Sequence, residues 1–392
     1  MMLGGSLAQI PSIKKAKEMG CYVITCDYLP NNPGHRFADE YHNVSTTDKE
    51  KILEIAKQLN IDGIVCYASD PAAPTAAYVA EKMNLSTSPY SSVDILCNKD
   101  KFREFLRKNN FNVPRFKVLQ DNINTCNGLT YPLIVKPVDS SGSKGVSKVT
   151  KPEDLIKAVE LAKRYSRCDT VIVEEYVESV YPPLAGDVFS VDGKLVFWAF
   201  ADDYFDTKSL NPLAPIVETY PCSWTQSMQQ KTISEINRLL SLLNMKTSAY
   251  NIEARCDSNG NVFLMEVAPR NGGNGIPEIT KYATGIDMIE FTIKASLGID
   301  CSKLCQKEIN GFWSCYMLHS NISGKFLRID IDETYEKNNM IDLRTDLKYG
   351  DIIKSFSGSD CALGTLLSRF STYDEMMKKT RNLEQYVRIV VQ

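Results

Sequence analysis

Through residues 1 to about 95, short apolar runs at 22–26 and 61–67 alternate with stretches whose apolar residues recur every three to four positions. Runs that short suit buried strands, and the 3.6-residue spacing between them suits helices. Together they predict a parallel sheet wrapped by helices, a Rossmann-like unit. Thr47 with Glu50 has capping-box spacing ahead of Ile52, Leu53, Ile55, Ala56 and Leu59, which share one helical face. Gly4-Gly5-Ser6 follows a very short first strand but lacks the GxGxxG spacing of a dinucleotide site, so it reads as sheet architecture. Turn formers at 85–90 (LSTSPY) close the unit. A single helix is expected over about 92–109, where Lys99, Lys101 and Arg103 stand beside Phe102, Phe105 and Leu106 as a solvated basic face.

Beyond residue 130 the pattern changes. Residues 131–149, YPLIVKPVDSSGSKGVSKV, read as an apolar strand delivering Lys136, a Ser/Gly-rich loop and a second short strand. Small residues let backbone N–H groups approach phosphate oxygens, and the lysine adds a point charge, so the segment is a candidate phosphate loop. Thr150 with Glu153 predicts another capping box, before a helix whose apolar face holds Leu155, Ala158, Val159 and Ala162. The strand at 171–176 (VIVEEY) ends in two acids, of which Glu174 is a candidate acceptor for an adenine amino group. In residues 251–273, NIEARCDSNGNVFLMEVAPRNGG, polar and apolar positions alternate around the turn Asp257-Ser258-Asn259-Gly260. An antiparallel hairpin follows, with Glu253 and Glu266 facing one side. Mg²⁺ takes a few carboxylate oxygens together with phosphates and waters, so these two acids followed by Arg270 point to a metal-bound polyphosphate.

Composition narrows the class. A chain of 392 residues with 43% hydrophobic and 24% charged residues suits two or three globular domains. No apolar run approaches the length of a membrane span, and the first residues lack a secretory leader, so a cytoplasmic protein is expected. A net charge of −3 argues against nonspecific nucleic-acid binding. The 12 cysteines have neither CxxC pairs nor zinc-like spacing with the 3 histidines, and read as reduced, mostly buried residues.

In their order along the chain, Asn98-Lys99, Lys136, the loop 140–145, EEYV and NIE…EVAPRNGG resemble the ATP-grasp superfamily, and the EVAPR form is similar to that of the purine-biosynthesis carboxylate–amine ligases. The resemblance implies a mixed α/β and α+β architecture. A Rossmann-like pre-ATP-grasp domain would span 1–95 and an ATP-grasp domain 96–300, with a lid subdomain at about 115–180 and a larger one at about 181–300. A biotin carboxylase-like closing domain would span 301–392. It also implies site roles. Lys99 and Lys136 would contact ATP phosphates under a lid of Ser141, Gly142 and Ser143. Glu174, Glu175 and Val177 would form the adenine hinge, with Asp187 near the ribose. Glu253 and Glu266 would hold Mg²⁺ or Mn²⁺, joined by Asn271 because Ala268 stands where relatives often have Asn. Arg270 would meet the transferred phosphate or the acid substrate.

The implied reaction joins a small carboxylic acid to an amine through an acyl phosphate, releasing ADP and phosphate. Positioning and charge neutralisation by the metal, Lys136 and Arg270 would dominate, with no nucleophilic side chain. The segment 202–206 (DDYFD) would orient the amine, join the metal site or form an acidic loop. Two other readings are a biotin carboxylase-like enzyme with a separate carrier and a noncatalytic ATP-binding regulator. Resemblance further implies a homodimer.

Overall fold

The computed structural model describes residues 1–120, 126 and 128–392. Four parallel strands open the chain: β1 (Met2–Leu3), β2 (Ile24–Asp27), β3 (Glu40–Asn43) and β4 (Val65–Cys66), in the order β3-β2-β1-β4. Helices α1 (Ile10–Glu18), α2 (Lys49–Gln58) and α3 (Ala73–Lys82) accompany them. The apolar face expected for α2 is buried at Ile52, Leu53 and Ala56. Its cap differs from expectation. Asp48, one residue after Thr47, accepts from Lys51 N at 3.2 Å, and a carboxylate there also complements the positive end of the helix. The Gly4-Gly5 turn is satisfied internally, since Gly5 N donates to Asp27 Oδ2 at 3.0 Å.

The helix expected over 92–109 is two helices, α4 (Tyr90–Cys97) and α5 (Lys99–Lys108). Asn98 between them is extended (φ −116°, ψ 113°), and its amide donates to the Asp94 carbonyl at 2.8 Å. A short polar side chain that bonds its own preceding turn ends a helix in this way. The break puts Lys99 in the first turn of α5.

A small sheet follows, made of β5 (Phe116–Leu119), β6 (Leu133–Pro137), β7 (Ser147–Val149) and β8 (Val171–Glu175) in the order β5-β8-β6-β7. Helix α6 (Leu155–Tyr165) packs on it through Leu155, Ala158, Val159 and Ala162, the face the pattern indicates. Thr150 does not cap α6. Pro152 holds Lys151 extended (φ −133°, ψ 143°) and starts a 3₁₀ turn at Pro152–Asp154 ahead of the helix.

Next come β9 (Leu184–Val191), β10 (Lys194–Phe205), β11 (Pro215–Tyr220), α7 (Gln226–Leu242), β12 (Ser248–Cys256), β13 (Val262–Ala268), α8 (Ile276–Thr284) and α9 (Met288–Ser296). The C-terminal segment adds β14 (Phe312–Leu318), β15 (Gly324–Ile331), α10 (Glu333–Asn338), β16 (Met340–Arg344), β17 (Ile352–Ile353), β18 (Gly364–Phe370), α11 (Tyr373–Arg381) and β19 (Val387–Val391). Eight of these strands make one antiparallel sheet, β13-β12-β9-β10-β11-β14-β18-β16. Its hydrogen bonding runs without a break from β11 to β14, across residue 300. Helix α7 buries Ile233, Ile236, Leu239 and Leu240 on one face, while α8 and α9 bury Ile279, Ala283 and Met288 on the other. Strands β17-β15-β19 form a separate three-stranded sheet. All 12 cysteines are free, and among the described residues no helix is long and apolar enough to cross a membrane.

Candidate active site

Between the small sheet and the eight-stranded sheet lies a cavity of about 240 Å³. Strand β6 brings Lys136 to it, α5 brings Lys99, and the loop after β6 brings Ser141, Gly142 and Ser143. Glu174, Glu175 and Val177 enter from β8 and its continuation, and Glu253, Glu266 and Arg270 from the β12–β13 hairpin. Of the residues expected from sequence, only Asp187 and Asn271 do not line it.

The hairpin forms as the alternation indicates. Glu253 stands directly opposite Glu266, and a register shift after Glu253 gives the strand pair a bulge at Met265. The turn is closed by Asp257, whose Oδ1 accepts from Asn259 N at 2.9 Å and Asn261 N at 2.8 Å. Glu253 is open to the cavity, yet the protein surrounding that cavity, and then the facing Glu266, push its carboxyl up to about 7. Cations approach from two sides. Lys99 Nζ lies 3.9 Å from Glu266 Oε2, and Arg270 Nη2 lies 3.8 Å from Glu266 Oε1. Among the described residues no group of three or more His, Cys, Asp or Glu is placed to hold a metal. Two facing carboxylates open to a cavity fit a hard divalent cation that takes its remaining oxygens from phosphate and water.

Two expected residues, Asn271 and Asp187, stand away from the cavity, and two others that line it, Glu174 and Arg270, are held by neighbouring charges. Asn271 is fully buried, its Oδ1 accepting from the Thr292 hydroxyl at 2.7 Å and its Nδ2 lying 3.4 Å from Asp187 Oδ2, so both amide atoms are engaged within the protein. Asp187 is also fully buried. It accepts from Gly272 N at 2.8 Å and Asn251 Nδ2 at 3.0 Å, and so holds the turn after β13 instead of meeting a ribose. Burial raises it to about 6 against those donors. Glu174 is 1% exposed and ion-paired with Arg103 Nε at 2.7 Å and with Lys136. Burial alone would raise its carboxyl, but Arg103 and then Lys136 outweigh that and hold it at about 2. Arg270 lines the cavity but is clamped by Asp70, from Nε to Oδ1 at 2.7 Å and from Nη2 to Oδ2 at 2.8 Å. Each terminal nitrogen keeps one N–H for a ligand, since Nη1 also gives one to Asn271 O.

Other contributors are not evident in the sequence pattern. Arg103 is fully buried rather than part of a solvated basic face. The signal was its position, because Phe102, Arg103 and Leu106 share one helical stripe, which places the arginine among the apolar residues. Lys101 is the solvated one, pairing with Asp94 while 48% exposed. Lys136, by contrast, is pulled down to about 8 by burial, against the attraction of Glu174. Arg255 Nη1 donates to the Val177 carbonyl and the Tyr176 hydroxyl, each at 3.1 Å, and so anchors the end of β8. The Ser/Gly loop is fastened at three points. Lys99 Nζ donates to Ser140 O at 2.6 Å, Ser359 N to Gly142 O at 3.1 Å, and Asn211 Nδ2 to Ser143 O at 2.9 Å.

Residues 129–278, which include the loop, both ends of the β8 region and the two glutamates, match the family model described as an ATP-grasp domain. The chain carries an ATP-grasp domain. A curated relative, formate-dependent phosphoribosylglycinamide formyltransferase from Prochlorococcus marinus (strain NATL2A), is 24% identical, with 100% of this chain and 97% of the relative covered. The crystal structure of L-amino acid ligase from Bacillus licheniformis superposes with a TM-score of 0.85 at 22% identity, covering 100% of this chain and 98% of that one. The biotin carboxylase domain of Hydrogenobacter thermophilus 2-oxoglutarate carboxylase, solved with MgADP and bicarbonate, gives 0.77 at 14% identity, covering 100% and 90%. The likeness in fold to these two structures therefore extends over the whole chain.

Proposed function

We propose that the protein is an ATP-dependent ligase that joins a small carboxylic acid to an amine, releasing ADP and phosphate. The observation that carries this reading is the Glu253–Glu266 pair, set opposite one another at a cavity that also receives Lys99, Lys136 and a fastened Ser/Gly loop. Noncatalytic nucleotide binding needs no such pair of repelling carboxylates. The division into a Rossmann-like unit, an ATP-grasp unit with its lid, and a C-terminal closing unit belongs to the same proposal.

A carboxylate resists attack by an amine until one oxygen has been phosphorylated. The acid's oxygen takes the γ-phosphoryl group of ATP, and the amine then displaces phosphate from the resulting acyl phosphate. Bound Mg²⁺, held by Glu253 and Glu266, supplies charge neutralisation along the phosphates. Lys99 and Lys136 add point charges from the side of the small sheet, and the backbone of Ser141, Gly142 and Ser143 covers the phosphates and excludes water. The free N–H groups of Arg270 face the acid or the departing phosphate.

The test is ADP release from Mg²⁺-ATP with pooled carboxylic acids, each assayed with and without pooled amines. Release that needs both pools is expected. Release with bicarbonate alone and no amine would favour a carboxylating enzyme, and tight ATP binding without release under any condition would overturn the ligase reading.

A further inference from the structure

Two acids of the cavity play no part in the scheme above. Asp203 on β10 and Glu218 on β11 are register partners, and both line the cavity. Asp203 is 4% exposed, and its Oδ1 has no hydrogen-bond partner. Glu218 accepts one hydrogen bond, from the Tyr220 hydroxyl at 2.7 Å. Neither acid is ion-paired with a neighbouring arginine among the described residues. Arg255 donates to Tyr176 and Val177, and Arg270 is clamped to Asp70.

An unpartnered buried carboxyl oxygen is costly unless a ligand satisfies it. Two facing carboxyls repel phosphate and carboxylate ligands and favour a cation with N–H donors. The walls beside them are apolar, namely Leu213, Ala214, Pro215, Met317 and Phe356. Glu253, the proposed metal ligand, is close enough to add like charge to both acids. A cation held there would sit next to the phosphoryl-transfer site.

We propose that Asp203 and Glu218 form the subsite for the amine substrate, and that this amine is a primary ammonium compound with an apolar carbon body. The assignment rests on the ligase reading, since it supplies that reading's second substrate. It excludes amines that carry a phosphate or carboxylate close to the nitrogen, because that group would meet Asp203 and Glu218.

The experiment uses full-length protein loaded with MgADP and titrated with n-butylammonium chloride, with O-phosphoethanolamine as the contrasting amine, and thermal midpoint as the readout. The wild type is expected to be stabilised by n-butylammonium and not by O-phosphoethanolamine. Asp203→Asn and Glu218→Gln should each weaken the n-butylammonium response at least tenfold and keep the MgADP response. Equal responses to the two amines, or an n-butylammonium response intact in both variants, would overturn the subsite. So would loss of the MgADP response in Asp203→Asn with the amine response kept, which would assign Asp203 to the nucleotide. Should Asp203→Asn not fold, Asp203→Ser and Glu218→Gln carry the test. Butylammonium binding that depends on these acids, without amine-dependent ADP release for any amine, would reject the ligase reading and leave the cation subsite standing.

Discussion

Glu174 sits between two cations, Arg103 and Lys136, in the interior where the small sheet meets α5. Removing one member of such a group leaves another charged and unpaired, which costs about 3–5 kcal/mol. Glu174→Gln should therefore lower the urea midpoint of the whole protein by a corresponding amount. The pH dependence follows from the direction of the shift. A Glu whose folded pKa is about 2 lies below its unfolded value of about 4.3, so its contribution is complete above that unfolded value. It is lost as pH falls from there towards 2. Wild-type stability measured across that window should fall more steeply than that of Glu174→Gln, and parallel curves would show that the pair does not titrate as described. Glu253 and Glu266 repel each other without a metal. Either residue changed to Gln should raise the thermal midpoint in EDTA while abolishing the additional stabilisation that Mg²⁺-ATP gives the wild type.

At the scale of elements, the Ser/Gly loop and the turn around Ser359 are joined closely. Gly142 has φ +67°, and a β-carbon built there would lie 1.8 Å from Ser359 Oγ. A left-handed alanine costs about 1–2 kcal/mol before the clash is added. Gly142→Ala should thus weaken ATP binding about tenfold or more, by the usual 1.4 kcal/mol per decade, through an opened loop. Ser359→Gly placed on top of it should recover part of the loss, because it removes the steric component and leaves the backbone one. Titrations of a fluorescent ATP analogue against the single and double variants separate the two.

For the whole molecule, the notable feature is that β11 pairs with β14, so segments before and after residue 300 share one sheet. Tyr220 and Trp313 lie in the same buried cluster. A chain ended near residue 310 would expose the β11 edge and open that cluster. It is expected to be insoluble or to lose its cooperative transition, whereas the full chain should unfold this sheet in one step in denaturant followed by far-ultraviolet circular dichroism. The Asp70–Arg270 clamp also joins the N-terminal parallel sheet region to the metal hairpin. Its two charge-assisted bonds make the position of Arg270 depend on a residue 200 positions away.

Local chemistry made several features legible. The period-two alternation and Asp-Ser-Asn-Gly turn place Glu253 opposite Glu266, and apolar runs between helical stretches give the parallel sheet and its wrapping. The strand lysine Lys136 and the small-residue loop were visible because backbone approach and strand placement depend on neighbouring residues alone. Other features depended on contacts between distant segments. Competing caps were decided by which side chain lay one residue nearer the helix. Asp187 and Asn271 looked like ligands by residue type, yet the turn after β13 needed their polar atoms and turned them inward. Arg103 looked like surface until its stripe was buried and the arginine met Glu174 on β8, and Asp203 stood out from the rest of the DDYFD segment only when folding buried it with one oxygen unpartnered. Sequence set which strands, turns and charges were available; only the tertiary structure decided which charges would neutralise one another and which would remain open to a ligand, because burial and pairing are properties of residues far apart in the chain.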